Sequence, residues 1–531
     1  MPVIASMGGT SRIAVAGTVV ALSVLLRAGP AYAVTGVPGY RIEDARNLSP
    51  GVDYRKIVRR DGPVVAHIVS LRRDAGLTLR AVLSNDRVAG PGPAQERTSA
   101  MCERVRCVAA VNGDFAFPAG EPVGGLVTGG QMLRSPVPTQ HQLSVTIGGE
   151  LAAGTLTWSA QLVPSDLRPV VVLGLNVARP ADGIVLYTPS FGPTTATNDF
   201  GAELVLRVVE PAPQPQVAQT ALVELVSFQD GRGNSPIPAD GLVMSGHGAG
   251  AAVLGDLWHR LKSGAVSRRG LLRVETSPNV TESVGGTPLL VHEGRRWVAD
   301  DGSSFVAGRH PRTIVGWNEA EILLVTVDGR QPGYSVGLSL ADAADLLRAL
   351  GATEAINLDG GGSTTLAVGA TVVNRPSDRM VKRGGRKMVV HETRPGDVVV
   401  GAVERPVASG LAIVATGPVS LAPADPFAAG APVLLPEVAP LPNDSDPASV
   451  LGAGNLALLH LGGPPSPSAG LIAVAAGVEV AVAHWLLLVV VARRRRRLAS
   501  PATPCGVFTE GLAACDSPPD STHGQARGSR V

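Results

Sequence analysis

The apolar run from Ala469 to Ala492 is 24 residues long and ends directly in five consecutive arginines, Arg493 to Arg497. A helix rises about 1.5 Å per residue, so this run can cross the roughly 30 Å hydrocarbon core of a bilayer, and a basic flank fixes which side stays inside. The expectation is a single C-terminal transmembrane helix at 469–492 with a short cytoplasmic tail at 493–531, which confines any folded domain to the residues before it. Glu479 and His484 interrupt the run; five residues apart, they do not share a helix face and read as tolerated positions in an anchor. Near the other end stand Arg12, the apolar stretch Ile13 to Leu26, and Ala31-Tyr32-Ala33. These are the charged, apolar and small-x-small regions of a secretory signal peptide at 1–33. The chain between would then lie outside the cytoplasm, in a single-pass protein of the cell membrane.

The intervening segment divides by composition. From Pro418 to Pro467 it is rich in Ala, Pro and small residues without clear periodicity, the character of a stalk over 415–468. The formal net charge of +2 and an aromatic content of 3% leave neither the field nor the stacking surfaces that nucleic acid requires, so nucleic acid is excluded as a partner. Only four of the 46 basic residues are lysine, a bias that points to a GC-rich bacterial genome rather than to chemistry. Cys102 and Cys107 fall in the exported part, where a disulfide closing a small loop before Val108 is expected; Cys505 and Cys515 fall in the tail and, without nearby histidines, form no zinc site.

Val34 to about Arg60 reads as polar and turn-rich. Val64 to Val69, Leu77 to Val82, Val108 to Val111, Leu204 to Val209, Ala221 to Phe228 and Ile322 to Val327 read as strands. The clearest helix is Ser339 to Leu350. Ser339 can cap its first turn, Leu340, Ala343, Ala344, Leu347 and Leu350 share a face, and Gly351 can end it. The fold class is α+β: a strand-rich mixed-sheet domain with a few helices. It has a strand-rich N-terminal part at 34–107 and a catalytic part at 108–414.

In Ala355 to Val368 an apolar strand delivers Asp359 into Gly360-Gly361-Gly362, followed by Ser363 and Thr364 and a departing strand. Three glycines let the backbone turn sharply and approach a ligand. Their amides and the two hydroxyls can converge on phosphate oxygens, with Asp359 at the strand end as acid, base or nucleophile. No lysine follows the glycines and the next element is not a helix, so this is not a P-loop. Nor is there a G-x-S-x-G elbow for a serine hydrolase.

Upstream stand Arg309-His310-Pro311-Arg312 to Gly316 and Leu324 to Asp328-Gly329-Arg330-Gln331, then the helix and the glycine loop. Val111-Asn112-Gly113-Asp114-Phe115, Leu186 to Pro189, Ile237 to Gly241, Gly285 to Leu290 and Asn374-Arg375-Pro376-Ser377-Asp378 accompany them. In that order these pieces, spread over Val108 to Val414, resemble the phosphodiester glycosidase family. The resemblance implies hydrolysis of a glycosyl-1-phosphodiester by attack at the anomeric carbon, with the phosphate leaving. Such chemistry needs donors around a charged phosphate and carboxylates near the sugar. Asp359 and Asp328 are the candidate catalytic carboxylates, and Arg312, with Arg309 second, the candidate phosphate ligands. Asn112 and Asn357 are candidates for hydrogen bonds to substrate, joined by Gly360, Gly361, Gly362, Ser363 and Thr364. The expected substrate is a sugar phosphodiester or an envelope glycopolymer.

The sequence departs from the family pattern at Asp114-Phe115-Ala116-Phe117, where members tend to have glycine and a phenylalanine pair. It departs again in a basic insertion from Arg379 to Val403, which carries Arg379, Lys382, Arg383, Arg386, Lys387 and Arg394 before Glu404-Arg405-Pro406-Val407. Two rival readings stand. One is a metal-dependent phosphodiesterase attacking phosphorus, with Asp328, Asp359, Asp114 and Asn112 as oxygen ligands of a kind that suits calcium or magnesium. The other is a non-catalytic binder of wall glycopolymer. No cofactor or metal is assigned.

Overall fold

The computed structural model describes residues 36–416, apart from 90–94, 165–167, 211–214, 266, 392–393 and 395–396. The expected signal peptide, the transmembrane run, the tail and all of the stalk beyond Thr416 lie outside the described residues, and no described helix is long and apolar enough to cross a membrane.

An eight-stranded antiparallel sheet forms the frame, in the order Arg41–Ser49, Val52–Arg59, Val64–Arg72, Glu321–Val327, Arg312–Trp317, Glu354–Asn357, Leu289–His292 and Arg295–Arg296. Its middle strands are buried on both faces, which is why Val64 to Leu71 is apolar at every position but His67 and Ser70 instead of alternating. One face is covered by the helix Leu340–Ala349. Ser339 Oγ caps it by accepting from the Asp342 amide at 3.0 Å. Leu340, Ala343, Ala344, Leu346 and Leu347 are buried against Ile68, Ile314, Val325 and Val327, each leucine contributing roughly 2 kcal/mol by area. The polar stretch before Arg60 is two strands rather than turns; lying at the sheet's edge with half-exposed side chains, they lack the apolar signature of a buried strand.

Against the other face packs a five-stranded sheet, Thr371–Val372, Leu366–Val368, Ala109–Asn112, Ser409–Ala415 and Leu77–Leu83. Both sheets combine strands from before residue 84 with strands from after residue 288, so 34–107 is woven into the domain. A third sheet, of eight strands, carries the helix Ala249–Lys262, whose Leu254, Leu257 and Leu261 are buried in a separate core. Among the described strands, parallel pairing occurs there only between Gly174–Leu175 and Ile184–Tyr187, so the expected mixed sheet is antiparallel nearly throughout. Cys102 and Cys107 are disulfide-bonded, clipping the helix Thr98–Val105 to the start of the strand Ala109–Asn112.

Candidate active site

The strands Ala109–Asn112 and Glu354–Asn357 belong to different sheets, and their C-terminal ends meet. The Asp359 amide donates to the Gly113 carbonyl at 3.0 Å, and Asn112 Nδ2 donates to the Asp359 carbonyl at 2.6 Å. Asn112 Oδ1 accepts from Thr313 Oγ1 at 2.7 Å and from the Thr365 amide at 3.1 Å. Its fully buried carboxamide therefore ties three segments of the site together. Asn112-Gly113 is not a hairpin turn: Gly113 lies flat on Ser409, where a Cβ would stand 2.6 Å from the hydroxyl.

Asp359 stands at the mouth of the glycine loop. Burial raises its pKa above the ordinary carboxylate value, opposed by hydrogen bonding from Ser363 and the Gly360 amide and by the charges of Arg405 and Arg330. Beside it, Asp114 is buried and its pKa is pushed up to about 7, chiefly by desolvation, with the charge of Asp359 adding to the rise. Asp114 Oδ1 accepts from the Phe115 amide at 2.8 Å and Gln140 Nε2 at 2.9 Å, and Oδ2 from the Gly124 amide at 2.5 Å. A methyl group at Gly285 would overlap this carboxyl, which accounts for a glycine in the Gly285-Gly286 motif.

Asp328 is buried too, but its oxygens are taken up. Tyr334 Oη donates to Oδ2 at 2.9 Å, His67 Nε2 lies 3.3 Å from the same oxygen, Asn374 Nδ2 donates to Oδ1 at 3.1 Å, and the Arg375 amide donates to both oxygens at 3.0 and 3.1 Å. His67 is held in turn by Tyr54 Oη, 2.8 Å from Nδ1. This buried hub joins the Asp328-Gly329-Arg330 turn to the Asn374-Arg375 turn.

The cations divide unexpectedly. Arg312, buried at the start of its strand, points to the helix side of the sheet; Nε donates to the Leu338 carbonyl at 3.0 Å and Nη2 to those of Phe305 and Gly308 at 2.7 and 2.9 Å. Desolvation, reinforced by the charge of Arg330, lowers its pKa to about 10. Arg309 pairs with Asp342 on the exposed first turn of the helix, 3.4 Å away, and is not brought into the cluster. The guanidinium that lies against the loop is that of Arg330: a Cβ on Gly361 would stand 3.2 Å from both of its terminal nitrogens. Arg330 holds a left-handed backbone, φ 57°, and makes no ion pair among the described residues. An arginine rarely adopts that conformation without a compensating role.

Behind the loop, Arg405 grips buried Asp378, Nε to Oδ2 at 2.8 Å and Nη2 to Oδ1 at 3.0 Å, and reaches Ser363 Oγ with Nη1 at 3.4 Å. Gly362 fits against this pair with no room for a side chain. Asn357 Nδ2 donates to the Thr287 carbonyl at 2.8 Å, whereas Asn357 Oδ1 and Thr364 Oγ1 are buried without a partner among the described residues. Buried polar atoms of that kind mark places where water or a ligand completes the bonding. No three or more His, Cys, Asp or Glu side chains among the described residues are placed to share a metal ion. Arg330 and Arg405 lie in motifs quoted above but are not candidates on sequence grounds, and Asp114 is one only as a metal ligand in the rival reading.

The sequence model of the phosphodiester glycosidase family matches residues 223–414, which include Arg312, Asp328, Arg330, Asp359 and Arg405. That segment is similar to the phosphodiester glycosidase family. Asn112 and Asp114 precede the matched segment and reach the site through the fold. A curated mouse (Mus musculus) protein, N-acetylglucosamine-1-phosphodiester alpha-N-acetylglucosaminidase, is 36% identical over 100 residues, 17% of this chain and 19% of that one. The chain thus matches about a fifth of that relative's length. A solved structure of a hypothetical protein from Synechocystis superposes with a TM-score of 0.52 at 20% identity, over 71% of this chain and 64% of the other, a likeness of fold alone. The catalytic domain of the zebrafish N-acetylglucosamine-1-phosphodiester alpha-N-acetylglucosaminidase, auto-inhibited by its pro-peptide, covers 71% of this chain and 89% of its own at 15% identity; its TM-score of 0.34 carries no argument.

Proposed function

We propose that this protein is a phosphodiester glycosidase, hydrolysing a glycosyl-1-phosphodiester of the cell envelope to free sugar and a phosphomonoester, from an exported domain anchored by the apolar run at 469–492. The observation that carries the reading is the placement of Arg330, a guanidinium without an ion pair among the described residues, against the Gly361 backbone beside Asp359. A phosphodiester brings one negative charge and needs donors that do not already serve a carboxylate.

In this reading Arg330 and the loop amides of Gly360 to Gly362 hold the phosphate, with the Ser363 and Thr364 hydroxyls beside them. Asp359 faces the anomeric carbon. A water oxygen ends on that carbon, directly with Asp359 as base or after a glycosyl-Asp359 intermediate. The carbon–oxygen bond breaks and its electron pair leaves on the phosphate. Because the leaving group is a weak base, little protonation is needed at the departing oxygen. The raised pKa of Asp359 makes it a stronger base than an exposed carboxylate, and Asp114, half protonated near neutrality, keeps a second full charge away from it. Asp328 serves as the hub that fixes the Arg330 turn, and Arg312 stands behind it as structural support. Asn357 Oδ1 and Thr364 Oγ1 are left to meet the sugar or phosphate.

The mouse relative's name makes an α-linked N-acetylglucosamine-1-phosphodiester the first substrate to try. The full chain should release N-acetylglucosamine from it, and Asp359→Ala should reduce that rate at least a thousandfold while keeping its thermal unfolding temperature. No release from this and a panel of other glycosyl-1-phosphodiesters would overturn the proposal.

A further inference from the structure

Between Asp378 and Arg405 the chain leaves the domain as a three-stranded ribbon, Arg386–Val390, Arg379–Arg383 and Val398–Ala402, which pairs with no other described strand. Of the described residues in these strands only Val381 is buried, while Met388, Val389, Val398, Val399 and Val400 are between 37% and 62% exposed. A sheet this thin, wet on both faces, is marginal by itself. Its charges are arranged against its own stability as well. Lys382 stands directly opposite Lys387, with Val398 as the lysine's other neighbour and Val389 on the same face. Arg383 stands opposite Arg386. Like charges at facing positions repel. Asp397 answers Arg383 with two 2.7 Å bonds, but Lys382, Lys387 and Arg386 have no acidic partner among the described residues.

We propose that this ribbon docks on the surface of an anionic lipid bilayer. A second copy of the chain would set the unpaired cations against their own equivalents. A soluble polyanion would satisfy them but leave Val389 and Val398, on the lysines' face, in water. A bilayer containing acidic lipids supplies phosphates for Lys382 and Lys387 and an apolar layer for Val389 and Val398 on the same face, the combination that holds interfacial amphipathic segments. The ribbon's root is wired to the glycine loop: His391 Nδ1 lies 3.0 Å from Asp378 Oδ1 and 2.8 Å from Arg405 Nη2, and Arg405 reaches Ser363. Docking would set the site close above the headgroups, whatever substrate it takes.

The test uses the full chain with Cys505→Ser and Cys515→Ser, reconstituted in vesicles, with an environment-sensitive fluorophore on Val398→Cys. In phosphatidylglycerol–phosphatidylcholine vesicles the emission should shift to shorter wavelength and be quenched by spin labels on the lipid chains. Lys382→Glu with Lys387→Glu should weaken that quenching roughly tenfold without altering the unfolding temperature. Emission as in water, quenching equal in pure phosphatidylcholine, quenching untouched by the double substitution, or a shift that follows protein concentration, as contact between copies would, overturns the proposal.

Discussion

Asp359 sits directly beside Asp114, the backbone of one bonded to the residue before the other: the Asp359 amide donates to the Gly113 carbonyl at 3.0 Å, and the Asp359 charge helps lift Asp114 to a pKa of about 7. Each buried carboxyl is costly to ionise, and the charge on Asp359 adds to that cost for Asp114.

The consequence is a bell-shaped rate profile. Activity should rise with pH as Asp359 ionises, at a value above that of an ordinary carboxylate, and fall again around pH 7 as Asp114 loses its proton. Asp114→Asn, which cannot ionise, should keep the acid limb and lose the alkaline one. Stability carries the same sign. The folded pKa of Asp114 lies above its ordinary 3.8, so its contribution is complete below that value and is lost as pH rises through about 7. Thermal unfolding of wild type and Asp114→Asn across this range checks it: the substitution should cost least at the alkaline end.

Arg330→Ala should lower kcat/KM by about a hundred- to a thousandfold, the loss expected for one preorganised donor to a charged group, with little change in unfolding temperature because the side chain is exposed. Arg309→Ala, which removes only a surface pair with Asp342, should leave kcat/KM within about twofold. Steady-state kinetics on both variants separates a phosphate ligand from a surface ion pair.

Gly362→Ala would press a methyl group into the Arg405–Asp378 pair. The loop must then shift, and Ser363 with it. The expected result is a drop in kcat of at least about tenfold, larger than the effect on KM, since the loop positions Asp359. An alanine enzyme with unchanged kcat would show that the loop tolerates displacement.

Asn112→Ala removes three buried hydrogen bonds at once, to Asp359, Thr313 and Thr365. A loss of about 2–4 kcal/mol in unfolding free energy is expected, measurable by denaturant titration.

Much of this was legible in the sequence. The helix at Leu340–Ala349 declared itself through the Ser339 cap and its apolar face, and the Asp359 loop through three glycines between two apolar strands. The helix Ala249–Lys262 escaped notice because Ala and Gly fill its first turns and leave only Leu254, Leu257 and Leu261 to show its period. The two outermost strands before Arg60 escaped because most of their side chains are only partly buried. For the site, motif order pointed to Asp359 and Asp328 but not to their unlike surroundings. That Asp328 is saturated by Tyr334, His67, Asn374 and Arg375 depends on contacts across as many as 261 residues. Arg312 and Arg330 are equally basic as letters; only the fold turns one toward backbone carbonyls behind the sheet and the other onto the glycine loop.

The most direct test is to let the full chain cleave an α-N-acetylglucosamine-1-phosphodiester in water enriched in heavy oxygen and to locate the label by mass spectrometry and NMR. Label on the anomeric oxygen of free sugar, with an unlabelled phosphomonoester, is the predicted result and marks carbon–oxygen cleavage. Label on phosphate, with either sugar-1-phosphate or free sugar as its companion, would place the attack on phosphorus and contradict the account.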